Sequence, residues 1–245
     1  KPLEYYLSKY GTALYGVEKM SLLLEKQHNR GQDGAGLVSL KLNTQPGSKY
    51  LNCEKSLGSS AIMNIFSKIH EDLKSLENYN PKQTLDISFL KDNLGFAAEL
   101  FLGHLRYGTF GKNNLDYVHP VVRANNWKSR TLALAGNFNL TNVDELYAKL
   151  ISYGEHPVET SDTLTVLEKV GYSLDKDALA LWQKYIDEGF SKIEASSFTE
   201  QNIDLTSILS RSFKNFDGGY VISGVVGHGD AFIMRDPAGI RPAFY

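Results

Sequence analysis

Apolar residues recur at helical spacing over residues 16–28, where Val17, Met20, Leu23 and Leu24 share one side and Glu18, Lys19, Glu25 and Lys26 the other. The pattern predicts an amphipathic helix with those four residues inward. Residues 36–42 alternate and predict a strand, 43–48 with Pro46-Gly47 a turn, and 50–54 its hairpin partner. The clearest helix covers 60–77, with Ile62, Ile65, Phe66, Ile69 and Leu73 on one stripe, and a polar loop containing Pro81 follows. Residues 100–106 read as a strand running into a turn at Gly108 and Gly111, and 131–135 as a strand ending at Gly136. Asn142 is placed to cap a helix through Tyr153, and Ser161-Asp162 one through Val170. Two more helices are predicted at 176–189, with Leu179, Leu181, Trp182 and Ile186 inward, and at 202–214. The end is β again: 219–226 and 231–235, joined by a hairpin at 227–230. Strands gather at both ends with helices between them. That order predicts an α+β fold with largely antiparallel sheets, not an alternating parallel one. No repeat or low-complexity linker interrupts the chain, so one domain over 1–245 is expected.

Composition narrows the function classes. The formal net charge of −2 gives no electrostatic case for nucleic acid or an anionic membrane surface. No apolar run reaches the roughly 18 residues that cross a bilayer, and residues 1–6 lack the apolar core of a signal peptide. The single cysteine, Cys53, excludes an internal disulfide framework and fits a reducing, cytoplasmic setting. His28, His70, His104, His119, His156 and His228 show no metal-ligand spacing, so no metal is predicted. The chain opens on Lys1 and ends on Arg241-Pro242-Ala243-Phe244-Tyr245, which reads as the approach to another strand. A piece of a longer chain is expected.

Five polar runs carry the candidate chemistry. Residues 30–36, RGQDGAG, place three glycines in seven positions, too many for a helix or strand interior. In GHLRYGT, 103–109, Arg106 ends a strand and can grip a carboxylate with its two-pronged guanidinium, with the Thr109 hydroxyl nearby. A structural ion pair explains Arg106 equally well. In residues 135–142, AGNFNLTN, a side-chain amide and backbone N–H groups can face a developing oxyanion, or form an Asn-rich turn with a cap. Asp162, in TSDT at 160–163, can bind an ammonium group or cap a helix. Residues 235–242, RDPAGIRP, read alone as a turn between strands.

Taken in order, RGQDGAG, GHLRYGT, GNFNLTN, TSD and DPAGIRP resemble the class II glutamine amidotransferase domain, nearest to the glutaminase half of the amidophosphoribosyltransferases. The resemblance runs from about residue 10 to the last residue. It implies the N-terminal-nucleophile hydrolase fold, a four-layer α/β/β/α sandwich with mostly antiparallel sheets. An N-terminal cysteine would attack the glutamine side-chain amide, with its own α-amino group as base, through an acyl-enzyme. By the resemblance, Arg106 binds the glutamine α-carboxylate, with Tyr107 and Thr109 beside it, and Asp162 binds the α-ammonium. Asn137 is the oxyanion donor and Arg30 orders the loop at the nucleophile. Phe138 stands where the family usually has glycine; its N–H survives as a second donor, but without glycine's freedom in φ.

The implied reaction is hydrolysis of glutamine to glutamate and ammonia. Ammonia would pass to phosphoribosyl pyrophosphate on a C-terminal phosphoribosyltransferase domain, giving phosphoribosylamine at the first step of purine biosynthesis. The domain would need no cofactor, contact neither nucleic acid nor membrane, and could form a homo-oligomer. A non-catalytic glutamine-binding relative and an amidotransferase with another acceptor remain alternatives. Cys53 does not match the nucleophile: it falls mid-strand, where its backbone nitrogen is in a peptide bond and cannot serve as base. The nucleophile segment is therefore expected ahead of Lys1. The stretches 60–95 and 172–215 exceed what a catalytic core requires and read as subunit contacts or surface helices.

Overall fold

The computed structural model describes residues 1–79, 83–108 and 114–244. They fall into two compact units, Lys1–Pro120 and Val121–Tyr245. The expected features at Pro81, Thr109 and Gly111 lie outside the described residues.

The first unit opens with α1 (Leu3–Tyr10), closed by Gly11 in the left-handed region at φ 74°, and α2 (Tyr15–Lys26). Strands β1 (Gly34–Leu40) and β2 (Leu51–Leu57) form the predicted hairpin. Helix α3 (Ala61–Tyr79) follows. The sheet is completed by β3 (Leu100–Arg106), giving the antiparallel order β2-β1-β3. The apolar stripe of α3 buries Ile62, Ile65, Phe66 and Ile69 against Val17, Leu24 and Leu37. Each such side chain contributes roughly 1.5–3 kcal/mol.

Three expectations are corrected here. Leu23 was placed inward but is 55% exposed; Val17 and Leu24 hold the core side of α2. The alternation of 36–42 suggested one wet face, yet β1 is buried at every position because it is the central strand. Its one hydroxyl is satisfied, Ser39 Oγ donating to Gly95 O at 2.9 Å. Part of the predicted loop after α3 is a helix, α4 (Ile87–Asn93), started by Asp86, whose carboxylate accepts from Ser88 N at 2.8 Å.

The second unit comprises β4 (Val121–Arg123), β5 (Leu132–Leu140), α5 (Val143–Ser152), α6 (Asp162–Asp187), α7 (Lys192–Asn202), α8 (Leu205–Phe213), β6 (Gly218–Val226) and β7 (Ala231–Arg235). Its sheet runs β4-β5-β6-β7, antiparallel throughout. Val166, Val170 and Leu174 of α6 pack with Leu132, Leu134, Ile208 and Ile222 in its core.

The helices predicted at 162–170 and 176–189 are one 26-residue helix. Gly171 lies just past the expected end of the first helix, and a Cβ there would lie 2.5 Å from the Arg123 side chain. The missing Cβ lets Arg123 cross the helix between Glu168, at 2.9 Å, and Asp175, which it meets with both terminal nitrogens at 3.1 and 2.7 Å. Burial works against the charge of Arg123, and these carboxylates more than offset it, holding its pKa above the usual arginine value. Leu179 was placed inward but is 50% exposed; Ala178 takes the buried position. The helix predicted at 202–214 is α8, Leu205–Phe213, with residue 202 the last of α7. Asp204 accepts from Ser207 N at 3.0 Å and begins α8.

Candidate functional site

In the first unit the sequence packs two of the polar runs together. Arg30 ends a short 3₁₀ turn, His28–Arg30, and is exposed. The next residue, Gly31, lies on the end of β3, where a Cβ would stand 2.8 Å from Leu105 C and 2.9 Å from Arg106 O. Only glycine allows that approach. Asp33 then fastens the corner: its N–H donates to Arg106 O at 3.0 Å, and its carboxylate accepts from Gly108 N at 2.7 Å. Gly58 N donates to Asp33 O at 3.0 Å. So RGQDGAG holds the backbone on both sides of Arg106 and Tyr107. Arg106 is buried, at 6% exposure, whereas Tyr107 is 71% exposed. The function of Asp33 was missed in the sequence, although a carboxylate between glycines is the usual sign of a side chain closing its own turn.

In the second unit Asn137 and Phe138 are not in a loop. The strand predicted to stop at Gly136 continues to Leu140, because β5 pairs with β6 through Asn137↔Val221 and Phe138↔Tyr220. A Cβ on Gly136 would sit 2.5 Å from Val221 O, so this glycine permits strand contact and does not end the strand. Asn137 is exposed and Phe138 half-buried against the core. Asn142 stands at the start of α5 but does not cap it through its side chain. Its amide donates to Asn215 O at 2.8 Å and accepts from Asp217 N at 3.2 Å, tying the residues ahead of β6 to the end of β5.

Asp162 is the first residue of α6. Ser161 is the cap, its Oγ accepting from Leu164 N at 3.3 Å and donating to Glu159 at 2.6 Å. The predicted capping is thus performed by serine, and Asp162 is left to other use. Its carboxylate accepts from Thr163 N at 3.0 Å, and among the described residues no cationic side chain pairs with it. Burial raises its pKa above the ordinary carboxylate value, and the backbone N–H groups offset that only in part.

The run 235–242 is a constructed turn. Asp236 is 3% exposed and accepts from Ile240 N at 2.7 Å, Arg241 N at 3.1 Å and Tyr220 N at 3.3 Å. Arg235 donates to Gly239 O at 2.7 Å and Arg241 O at 2.6 Å. The charges of Arg235 and Asp236 are thus taken up by backbone groups, mostly the motif's own. Cys53 lies on β2 opposite Val38. The residue presents surface to solvent, but its sulfur turns back to Pro120 O at 3.9 Å. Burial raises the thiol's pKa, the opposite of an activated nucleophile. Among the described residues no group of three or more His, Cys, Asp or Glu is placed to hold a metal, and no helix is long and apolar enough to cross a membrane.

No protein-family model matches the chain. Among curated proteins, it is 27% identical over 218 residues to the amidophosphoribosyltransferase of Pasteurella multocida, covering 88% of this chain and 33% of that protein. Among solved structures, it matches the glutamine phosphoribosylpyrophosphate amidotransferase of B. subtilis complexed with ADP and GMP, with a TM-score of 0.52 and 23% identity, covering 94% of this chain and 35% of that one. A structure described as the allosteric regulatory enzyme of purine biosynthesis gives a TM-score of 0.54 at 21% identity, over 89% and 34% of the two chains. The structural likeness carries the α+β fold with antiparallel sheets. The chain spans between about a quarter and a third of the length of most of the curated relatives it matches. In sequence and in fold it is similar to part of the amidophosphoribosyltransferases.

Proposed function

We propose that residues 1–245 form the glutamine-handling domain of an amidotransferase of the amidophosphoribosyltransferase kind. The observation that carries this is Asp162, a carboxylate held against burial with no cation beside it among the described residues. An amino-acid substrate supplies the missing charge through its α-ammonium group. Arg106 takes the α-carboxylate, from a strand end whose backbone is locked by Gly31 and Asp33. Tyr107 borders it, Arg30 orders the loop at the nucleophile, and the expected role of Thr109 lies outside the described residues. Asn137 donates to the oxyanion through its amide and Phe138 through its backbone N–H.

The chemistry follows the relatives. A cysteine thiolate adds to the side-chain amide carbon, the C–N bond breaks, ammonia leaves with a proton from the cysteine's α-amino group, and water hydrolyses the thioester to glutamate. That thiolate belongs to an N-terminal cysteine; none of these 245 residues is assigned the role. Ammonia is then used by a phosphoribosyltransferase domain to make phosphoribosylamine for purine synthesis, in the cytoplasm.

Calorimetry with L-glutamine tests the binding half on the chain as it stands. Arg106→Ala is expected to weaken binding by roughly 10- to 100-fold, the loss of a charge-assisted contact of about 1.5–3 kcal/mol. Unchanged affinity in that variant would remove Arg106 from the site and leave the proposal without its carboxylate partner.

A further inference from the structure

The helical side of the second unit carries a cationic cleft that glutamine handling does not use. It has a volume of about 260 Å³ and is walled by α5, α6 and α8, with Lys149, Lys169, Lys176 and Arg211 on its lining and Asp177 as its one carboxylate. The chain as a whole is net negative, so this gathering of positive charge is local.

Of the four cations only Arg211 is spent on neighbours. Arg211 pairs with Asp177 and donates to Ser207 Oγ at 2.7 Å. Among the described residues no carboxylate pairs with Lys149, Lys169 or Lys176. Lysines on a helix surface usually extend into water and need no partner. Lys169 departs from that: it is 7% exposed, packed among the residues of α6 that form the core. Positions 169, 172, 173 and 176 recur at helical spacing and turn one face of α6 to the cleft. Burying an ammonium beside other cations is costly unless an anion completes the group. Burial, with the charge of Lys149 adding to it, lowers the pKa of Lys169 below the usual lysine value.

We infer that this cleft binds a phosphorylated small molecule, its phosphate received by Lys149, Lys169 and Lys176. A phosphate carries between one and two negative charges at neutral pH and offers three acceptor oxygens, which suits three unpaired ammonium groups better than a single carboxylate would. The volume lies just under the roughly 300–1,000 Å³ of pockets for drug-sized ligands, leaving room for a phosphate and a small attached group. Tyr153 and Tyr172, stacked at 4.7 Å between ring centres, form a flat wall beside the lysines against which that group can lie.

Calorimetry on the protein at constant ionic strength, set with chloride, is the test. Inorganic phosphate, pyrophosphate and ribose 5-phosphate are titrated separately. At least one is expected to bind in a saturable, one-to-one manner. The tightest arm tells a free phosphate or diphosphate from an ester. Lys169→Met should weaken that binding at least tenfold without lowering Tm, since it removes a buried charge. Lys176→Gln, at an exposed position where folding is not at stake, should weaken it severalfold. Binding by none of the three, or binding of equal strength in both variants, overturns the assignment.

Discussion

Asp236, in the turn after β7, and Asp162, at the start of α6, are both carboxylates met by backbone N–H groups, and burial pushes both pKa values up. For Asp236, hydrogen bonds from Ile240, Arg241 and Tyr220, with the charge of Arg235, outweigh burial and hold the group below the ordinary value. For Asp162 the N–H groups of its own helix start do not suffice, and the value stays raised. The first carboxylate is satisfied by the fold. The second is kept at a cost to the fold, and such groups gather where a ligand completes the charge. Neither TSD nor DPAGIRP shows this difference as a string of letters; it is set by how many donors converge on each oxygen.

Asp162→Asn should break the comparison most visibly, because binding and stability move in opposite directions. Glutamine affinity is expected to fall by roughly 10- to 100-fold, the value of a charged hydrogen-bonded contact. Stability at neutral pH should rise. An acid with a raised folded pKa destabilises the folded state once the pH exceeds the unfolded value, here 3.8. Removing the acid therefore raises Tm at pH 7, and the gain should fade as the pH falls toward that value. A variant that binds glutamine like the parent, or that melts lower at pH 7, would make Asp162 a structural residue like Asp236.

Arg123 is the cationic counterpart of the satisfied group. It is held by Glu168 and Asp175 across Gly171. Arg123→Met leaves two carboxylates facing each other without their cation and should cost about 2 kcal/mol, a drop of roughly 4–8 °C in Tm for a chain of this size. Gly171→Ala is the finer probe. Alanine is about 1 kcal/mol better than glycine in a helix interior, yet its Cβ would stand 2.5 Å from Arg123. A guanidinium held by two carboxylates cannot swing away freely, so the variant should melt lower despite its propensity. A higher Tm would show that Arg123 is not fixed where these contacts place it.

Asp236→Asn supplies the opposite sign to Asp162→Asn. A folded pKa below the unfolded 3.8 means the carboxylate stabilises the fold above that value, and the contribution is lost as the pH drops through the folded value. The variant should melt lower than the parent at pH 7 and converge with it in acid. Parallel pH scans of the two variants would then depart from the parent in opposite directions at neutral pH and close together below about 4.

Much of this frame is written in local pattern. The stripe of α3, the β1–β2 hairpin and the β6–β7 hairpin follow from spacing and turn residues, because each is decided by neighbours in sequence. What local pattern misreads is decided by distant partners. Gly136 looks like a strand end, but β6, more than eighty residues on, carries β5 through it. Gly171 lies just past an expected helix end, and the distant Arg123 fills the space of its absent Cβ. The site divides the same way. Arg30, Arg106 and Asp162 stand out by residue type and place, while the grip of Asp33 on Gly108 appears only when β3 returns beside β1.

Cys53 gives the smallest expected effect and still bears on the chemistry. It is the one thiol in the chain, so a thiol route through these residues alone would have to use it. Its amide nitrogen is in a strand paired with β1, which leaves no free amine to take the proton, and burial raises its pKa. A thiol held above its ordinary pKa is a poor nucleophile at pH 7. Cys53→Ser, which changes one atom on a strand, should leave glutamine affinity and Tm unchanged. It should also leave any glutaminase activity intact in a protein that supplies an N-terminal cysteine. Loss of hydrolysis in Cys53→Ser with binding retained would move the nucleophile onto β2. The α-amino base that the proposed mechanism uses would then have to be replaced by a side chain near β2.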